Sequence, residues 1–189
     1  MQQIREEMTA GLVEINDYKV VFKEWEELEI IEKIEGKGEN SYFLPHRPIV
    51  KNNSFTTKIR QVFDALARVT GQSSLNDLLY KDPNLIEQIP DILDRFRSYP
   101  VALSAARDIE KAFLQLGITP KHTDFLRFFY PDKSEEIVYR HCRVAFGVSS
   151  SPFLLSAVLA HLLENVPADD TQLGSKLKLS FQVDNCVTG

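Results

Sequence analysis

Two acidic runs in this 189-residue chain have residue types that could do chemistry. Asp108-Ile109-Glu110-Lys111-Ala112-Phe113 follows an apolar stretch, and Phe181-Gln182-Val183-Asp184-Asn185 lies near the C-terminus. Each sets an acidic residue where a β-strand is expected to end. Carboxylates at neighbouring strand ends can hold a pair of Mg²⁺ ions, the arrangement that serves in-line phosphoryl transfer. Hard oxygen ligands suit Mg²⁺, which keeps waters and phosphate oxygens in its remaining positions. A lone Asp after a strand is more often a cap or turn residue. Neither run therefore carries this chemistry by itself, and the elements around them have to discriminate.

Those elements read as a mixed α+β protein. Asp17 can cap a helix reaching about Lys33, with Val20, Val21, Trp25, Leu28 and Ile31 as its apolar stripe and the glutamates toward solvent. Gly36 to Asn40 reads as a turn or loop. Tyr42 to Val50 and Lys58 to Leu66, separated by the polar Lys51-Asn52-Asn53-Ser54, predict a hairpin. Pro45 and Pro48 put its first strand at an edge. Asn84 to Tyr99 predicts a helix with Leu85, Ile89, Ile92, Leu93 and Phe96 on one face, and Val101 to Ala105 a short buried strand. Phe125 to Phe129 and Ile137 to Phe146 predict two strands joined at Pro131-Asp132-Lys133-Ser134. Ser151-Pro152 opens a helix to about Glu164. Pro167 to Asp170 begins a loop, and Leu177 to Val183 alternates as a final strand ending at Asp184-Asn185. The order is helix, hairpin, helix, strand, hairpin, helix, strand.

Composition sets the outer limits. With 43% hydrophobic and 26% charged residues, the chain is an ordinary globular sequence able to bury a sizeable core as one domain or two packed subdomains. No apolar stretch approaches the length of a membrane span, so no membrane partner is expected. The N-terminus carries no signal-peptide h-region, which points to an intracellular, cytoplasmic location. Cys142 and Cys186 make no disulfide framework, and scattered His46, His122, His141 and His161 make a zinc site unexpected. The Asn52-Asn53-Ser54 sequon means nothing without a secretory route.

The net charge of −5 argues at first against a nucleic-acid partner, but the acidic excess is local. Residues 1–40 hold 5 basic and 11 acidic residues, and the remaining 149 hold 17 and 16. Between Ser41 and Lys81, six basic residues (Arg47, Lys51, Lys58, Arg60, Arg68, Lys81) face two acidic ones (Asp64, Asp77). A basic surface there can attract phosphate within a Debye length of roughly 10 Å.

Several blocks in order resemble the reverse transcriptase of Pao/Bel-type LTR retrotransposons over about residues 17–189. They are Tyr42 to Val50, Thr56 to Ala65, Ser74-Leu75-Asn76-Asp77, Asp108 to Gln115, Phe146 to Phe153 and Phe181 to Gly189. The resemblance implies a right-hand polymerase: an N-terminal extension (1–16), fingers (17–100) and a palm (101–189) whose antiparallel sheet is backed by helices and cut short after the catalytic hairpin turn. It implies an RNA-directed DNA polymerase, a nucleotidyltransferase joining dNTPs to a primer 3′-hydroxyl on an RNA or DNA template. The cofactor implied is Mg²⁺ or Mn²⁺, two ions. Asp108 corresponds to the first catalytic aspartate, and Asp184 and Asn185 to the paired acidic positions of the Tyr-x-Asp-Asp turn. Asp108 and Asp184 are the implied metal ligands. Phe113 corresponds to the aromatic steric gate that leaves no room for a 2′-hydroxyl. Arg60 corresponds to the fingers arginine that packs on the incoming base and reaches its phosphates, and Lys51 or Lys58 to a further triphosphate contact. Gln115 ends the Asp108 block among the substrate-binding positions, and Phe146-Gly147 belongs to the template-gripping loop. The expected setting is cytoplasmic, in a virus-like particle.

The chain also departs from that pattern. Gln182 stands where the family has Tyr, Asn185 where it has a second Asp, and Phe146 where many reverse transcriptases have Gln. Ala106-Arg107 reads as an insertion before Asp108, and a displacement of about 1 Å at a reacting centre can cost roughly 10²-fold in rate. The chain ends five residues after Asp184, so the remaining palm, the thumb, RNase H and integrase of such a polyprotein are expected beyond it. The alternative reading is a non-catalytic retrotransposon relic acting as a nucleic-acid-binding or protein-interaction module.

Overall fold

The computed structural model describes residues 15–36, 41–50, 59–80, 83–98, 107–130 and 137–187. The expected strand Val101–Ala105 and the connections 51–54 and 131–134 lie outside them. The protein is a mixed α+β molecule of small antiparallel sheets and helices. It packs as two compact units, each discontinuous in sequence: residues 1–79 with 114–149, and residues 80–113 with 150–189.

The first unit opens with helix α1 (Ile15–Glu27). The predicted helix ran to Lys33, and the structure corrects this. Glu29 takes a left-handed conformation (φ 53°). The Ile30 N–H bonds to the Trp25 carbonyl at 2.8 Å and the Glu29 N–H to the Glu26 carbonyl at 3.1 Å. This crossed pair of bonds closes a helix C-terminus, usually with glycine at the position Glu29 occupies. The chain then turns into β1 (Ile31–Ile34). The helix face differs too. Phe22 is buried and Trp25 half-buried, while Val20 and Leu28 are exposed.

β1 pairs antiparallel with β6 (Val138–His141), which pairs with β5 (Arg127–Phe129). β5 starts later than predicted because Asp124–Leu126 forms a 3₁₀ turn ahead of it, and β6 ends at His141, short of the predicted Phe146. Residues 42–44 run beside β5, with Leu44 N–H to the Arg127 carbonyl at 2.7 Å and Arg127 N–H to the Tyr42 carbonyl at 3.1 Å. The predicted hairpin is present, in shorter form, as β2 (His46–Val50) against β3 (Ile59–Phe63), a separate two-stranded sheet. Pro48 sits in it opposite Gln61. Helix α2 (Leu75–Leu78) is closed by a capping box, the Ser74 hydroxyl accepting from Asp77 N–H and the Asp77 carboxylate accepting from Ser74 N–H. A short helix α4 (Pro120–Thr123) precedes the 3₁₀ turn.

The core of this unit gathers Phe22, Ile31, Leu44, Phe63, Phe128, Tyr139 and Ala145. His46 and His141 are buried in it. The Nε2 of His46 donates to the Phe129 carbonyl at 2.8 Å while its Nδ1 accepts from the Gln61 amide at 3.3 Å. The Nδ1 of His141 lies 2.7 Å from the Arg143 carbonyl. Trp25 and Phe63 meet its ring edge-on. Where the sheet meets solvent, Asp124 accepts from Arg127 and from Arg140, each at 2.9 Å, and Arg140 also pairs with Glu32. These donors hold the Asp124 carboxyl below its usual range. Together the charges tie β1, β5 and β6 along one edge.

The second unit holds α3 (Ile89–Arg97), β4 (Arg107–Asp108), α5 (Ser151–Glu164), α6 (Thr171–Lys178), β7 (Phe181–Gln182) and β8 (Asn185–Cys186). Helix α3 starts five residues later than predicted. Asn84 instead accepts the Ile86 N–H, a local turn, and Pro90 falls in the first helical turn, where its missing N–H costs no helical bond. Only Ile92 of its predicted face is buried, Leu85, Ile89 and Leu93 being exposed. The N-cap of α5 is Ser150 rather than Ser151, with Pro152 in the first turn. Helix α6 occupies residues for which the sequence predicts loop and the start of a strand. It approaches the end of α5 closely, since a Cβ on Gly174 would stand 2.7 Å from the Leu163 carbonyl oxygen. The glycine that weakens α6 as a helix is thus required by its packing.

Burial pushes both core histidines down to about 4 from an ordinary 6.5, desolvation being the largest cause in each. The unfolded chain therefore binds more protons than the folded one between those values, and stability falls as pH falls through that window. Full protonation is expected to remove roughly 3 kcal/mol per histidine. Urea unfolding at pH 7, 6, 5 and 4 checks this. His46→Gln, which keeps one side-chain donor, should flatten part of the slope.

Candidate active site

The sheet of the second unit has the order β4-β8-β7. Asp108 lies directly opposite Asn185, and Arg107 opposite Cys186. The Ile109 N–H extends the ladder to the Asp184 carbonyl at 2.9 Å. Opposed residues in an antiparallel pair have Cα atoms about 5 Å apart and successive residues 3.8 Å, so the Asp108 and Asp184 Cα atoms lie within about 9 Å. Placement of the Asp108 side chain lies outside the described residues. Its backbone position is set by the register alone. Arg107 takes a regular place in the ladder, while Ala106 lies outside the described residues.

β7 and β8 form a hairpin whose loop is Val183-Asp184, because Gln182 pairs with Asn185. The predicted strand through Val183 thus ends one residue early. Val183 has φ +57°. A two-residue hairpin loop favours left-handed backbone at its first position, normally on glycine. A β-branched residue there is strained by about 1–3 kcal/mol, and such strain persists only where its surroundings enforce it. Asp184 is half-buried and Asn185 exposed. The Asn185 amide donates to Asp184 Oδ1 at 3.1 Å.

Phe113 follows on the same unit in a 3₁₀ turn (Ala112–Gln115), entered through a left-handed Lys111 (φ 50°). It is 5% exposed. Among the described residues no three His, Cys, Asp or Glu side chains form a metal-binding group, and Asp108 is not among the side chains described.

The other predicted residues belong to the first unit. Arg60 occupies β3 opposite Ile49, and its side chain is outside the description. Lys51 and Lys58 lie outside the described residues. Gln115 is exposed and Phe146 is 38% exposed. Gly147 has φ +92°, and a Cβ there would fall 2.3 Å from the Phe63 carbonyl oxygen, so no other residue fits the loop unchanged. The loop is held by Asn76, whose amide donates to the Gly147 carbonyl at 3.0 Å and accepts from the Ser149 N–H at 2.8 Å. Sequence reasoning did not assign Asn76 this role. The Ser-x-x-Asp capping box that places it was the available signal. Of the predicted basic surface, Arg47 and Arg68 are exposed, and Arg68 pairs with Asp77 at 3.6 Å.

Neither a protein-family model nor a curated protein matches the chain. No helix among the described residues is long and apolar enough to cross a membrane. Both cysteines are free thiols, and burial pushes Cys142 up to about 11. A thiol so raised stays protonated at neutral pH and makes a poor nucleophile or metal ligand.

Val183→Gly should relieve the turn. The expected gain in stability is about 1 kcal/mol, read as a higher urea midpoint with an unchanged slope.

Proposed function

We propose that this chain is the fingers–palm region of a reverse transcriptase of the Pao/Bel retrotransposon type, an RNA-directed DNA polymerase. The observation that carries the reading is the pairing of Arg107–Asp108 with Asn185–Cys186. It unites the two acidic runs at one end of one sheet, as the ordered sequence blocks require. The strained Val183 turn adds to it, since enforced strain clusters where a side chain must be aimed.

The donor set fits a hard divalent cation. Asp108 and Asp184 offer carboxylate oxygens, and Asn185 could add a neutral amide oxygen if its side chain turned from Asp184. Bound there, Mg²⁺ or Mn²⁺ would supply Lewis-acid polarisation of phosphate oxygens and of a primer 3′-hydroxyl. The protein's own part is positioning. The register would bring the negative charges of Asp108 and Asp184 to one sheet. Phe113 is buried here, so the gate role requires its ring to be uncovered where the sugar binds. The resemblance gives Arg60, with Lys51 or Lys58, the contacts to triphosphate, and a planar guanidinium suits that task. The Gly147 loop, with Phe146 exposed, would grip template.

One observation favours the relic reading. The Asn185 amide occupies an Asp184 oxygen that a cation would otherwise use. Asn also lacks the charge of a second Asp.

The deciding experiment is Mg²⁺- or Mn²⁺-dependent extension of a DNA primer on an RNA template, by the chain alone and by the chain continued through a thumb segment. Incorporation by either is expected; its absence from both selects the relic. Asp108→Asn should lower incorporation by about 10²–10³-fold with the fold intact by circular dichroism, on the scale expected for removal of a positioned electrostatic group. Activity unchanged by that substitution would remove the metal assignment. Phe113→Ala should raise rNTP relative to dNTP incorporation by about tenfold or more, equivalent to roughly 1.4 kcal/mol. An unaltered ratio would end the gate role.

A further inference from the structure

Helices α3 (Ile89–Arg97) and α6 (Thr171–Lys178) line a cleft of about 700 Å³, together with Leu179, Ser180 and Val187. Leu173 and Leu179 remain 53% and 44% exposed, so apolar packing does not close this part of the unit. Arg95 spans it with hydrogen bonds instead. Its Nη2 donates to the Glu87 carboxylate at 2.9 Å and to the Leu179 carbonyl at 2.7 Å. Leu179 is the C-cap of α6. Carbonyls at a helix C-terminus lack helical donors and lie at the negative end of the helix dipole, so a cation is favoured there twice over.

The residues beyond that carbonyl lead straight into the candidate site. Ser180 is buried, and its hydroxyl donates to the Lys176 carbonyl at 2.9 Å. Its own carbonyl accepts the Val187 N–H at 2.9 Å, adding a rung below the Phe181–Cys186 pair. The end of α6 and the hairpin that carries Asp184 are therefore one hydrogen-bonded piece. Arg95 anchors that piece to α3.

We infer that Arg95 is a positioning residue for the Asp184 hairpin, holding it in register against Asp108. What the hairpin does there rests on the polymerase reading; the anchoring itself does not.

Two measurements on the intact chain separate these. The first is amide hydrogen exchange by NMR. In Arg95→Met, the Val187 amide (bonded to Ser180) and the Ile109 amide (bonded to Asp184) should exchange about tenfold faster. Amides in the middle of α5 should stay within about twofold of wild type. Arg95→Lys, whose amine can still reach the Leu179 carbonyl, should bring both rates back to within about threefold of wild type. Wild-type rates at Val187 and Ile109 in Arg95→Met would overturn the inference. So would an equal acceleration throughout α5, which marks general loosening.

The second is Mn²⁺ binding by electron paramagnetic resonance in wild type, Asp184→Asn and Arg95→Met. Weakening of about fivefold in Arg95→Met, with greater loss in Asp184→Asn, supports the positioning role. Loss in Asp184→Asn with none in Arg95→Met overturns it. If Mn²⁺ does not distinguish wild type from Asp184→Asn, the metal reading of the hairpin fails and the exchange rates alone decide whether Arg95 anchors it.

Discussion

A ladder of backbone hydrogen bonds between two very short strands is the constraint on which the candidate site depends. Arg107–Asp108 and Asn185–Cys186 lie far apart in sequence and present few residues to each other. Side-chain alternation in a strand has a period of two, so a slip of one residue would turn Asp108 to the opposite face. So short a ladder cannot hold its own register. It is supported from the hairpin side, where β7 continues the sheet and the Val187–Ser180 bond adds a rung at the base. From there the chain runs back to the C-terminus of α6, where the carbonyl of the C-cap Leu179 is met by Arg95. A continuous path of hydrogen bonds thus runs from the hairpin that carries Asp184 to helices α6 and α3.

The turn itself is strained. A left-handed valine is unfavourable in isolation, and the two-residue loop between Gln182 and Asn185 favours that conformation at its first position. Glycine would serve the turn with less strain. Gly147 is the opposite case. There a left-handed backbone and a close approach to Phe63 exclude any side chain, and Asn76 supplies the bonds that hold the loop.

The first unit is held by an aromatic core that includes two neutral histidines, and their bonds to main-chain carbonyls do specific work. His46 joins β2 to Phe129 at the end of β5, linking a hairpin to a sheet with which it shares no ladder. The gain in specificity has a consequence in acid, because the same burial that makes these bonds strong disfavours the charged ring.

How much could be read from the chain follows from which interactions were local. The α+β class, the hairpin of β2 and β3 and the helix ending at Glu164 were visible in periodicity, prolines and β-branched runs. The strand expected at Val101–Ala105 lies outside the described residues, and Arg107, expected as part of an insertion, takes a place in the ladder instead. The early end of α1 was not, because Glu29 holds the left-handed position that glycine usually marks. Helix α6 was hidden by Gly174, which looks like a helix breaker until its approach to Leu163 is known. The turn at Val183 carried no glycine and read as strand. By itself the sequence determined the residue types at the candidate site and their order, since a carboxylate's chemistry belongs to the side chain and strand and helix signals belong to neighbours. Only the tertiary structure decided that Asp108 stands opposite Asn185 and that Asp184 hangs from a helix end tied by Arg95. Pairing between distant segments depends on hydrogen bonds that carry no signature in either segment alone.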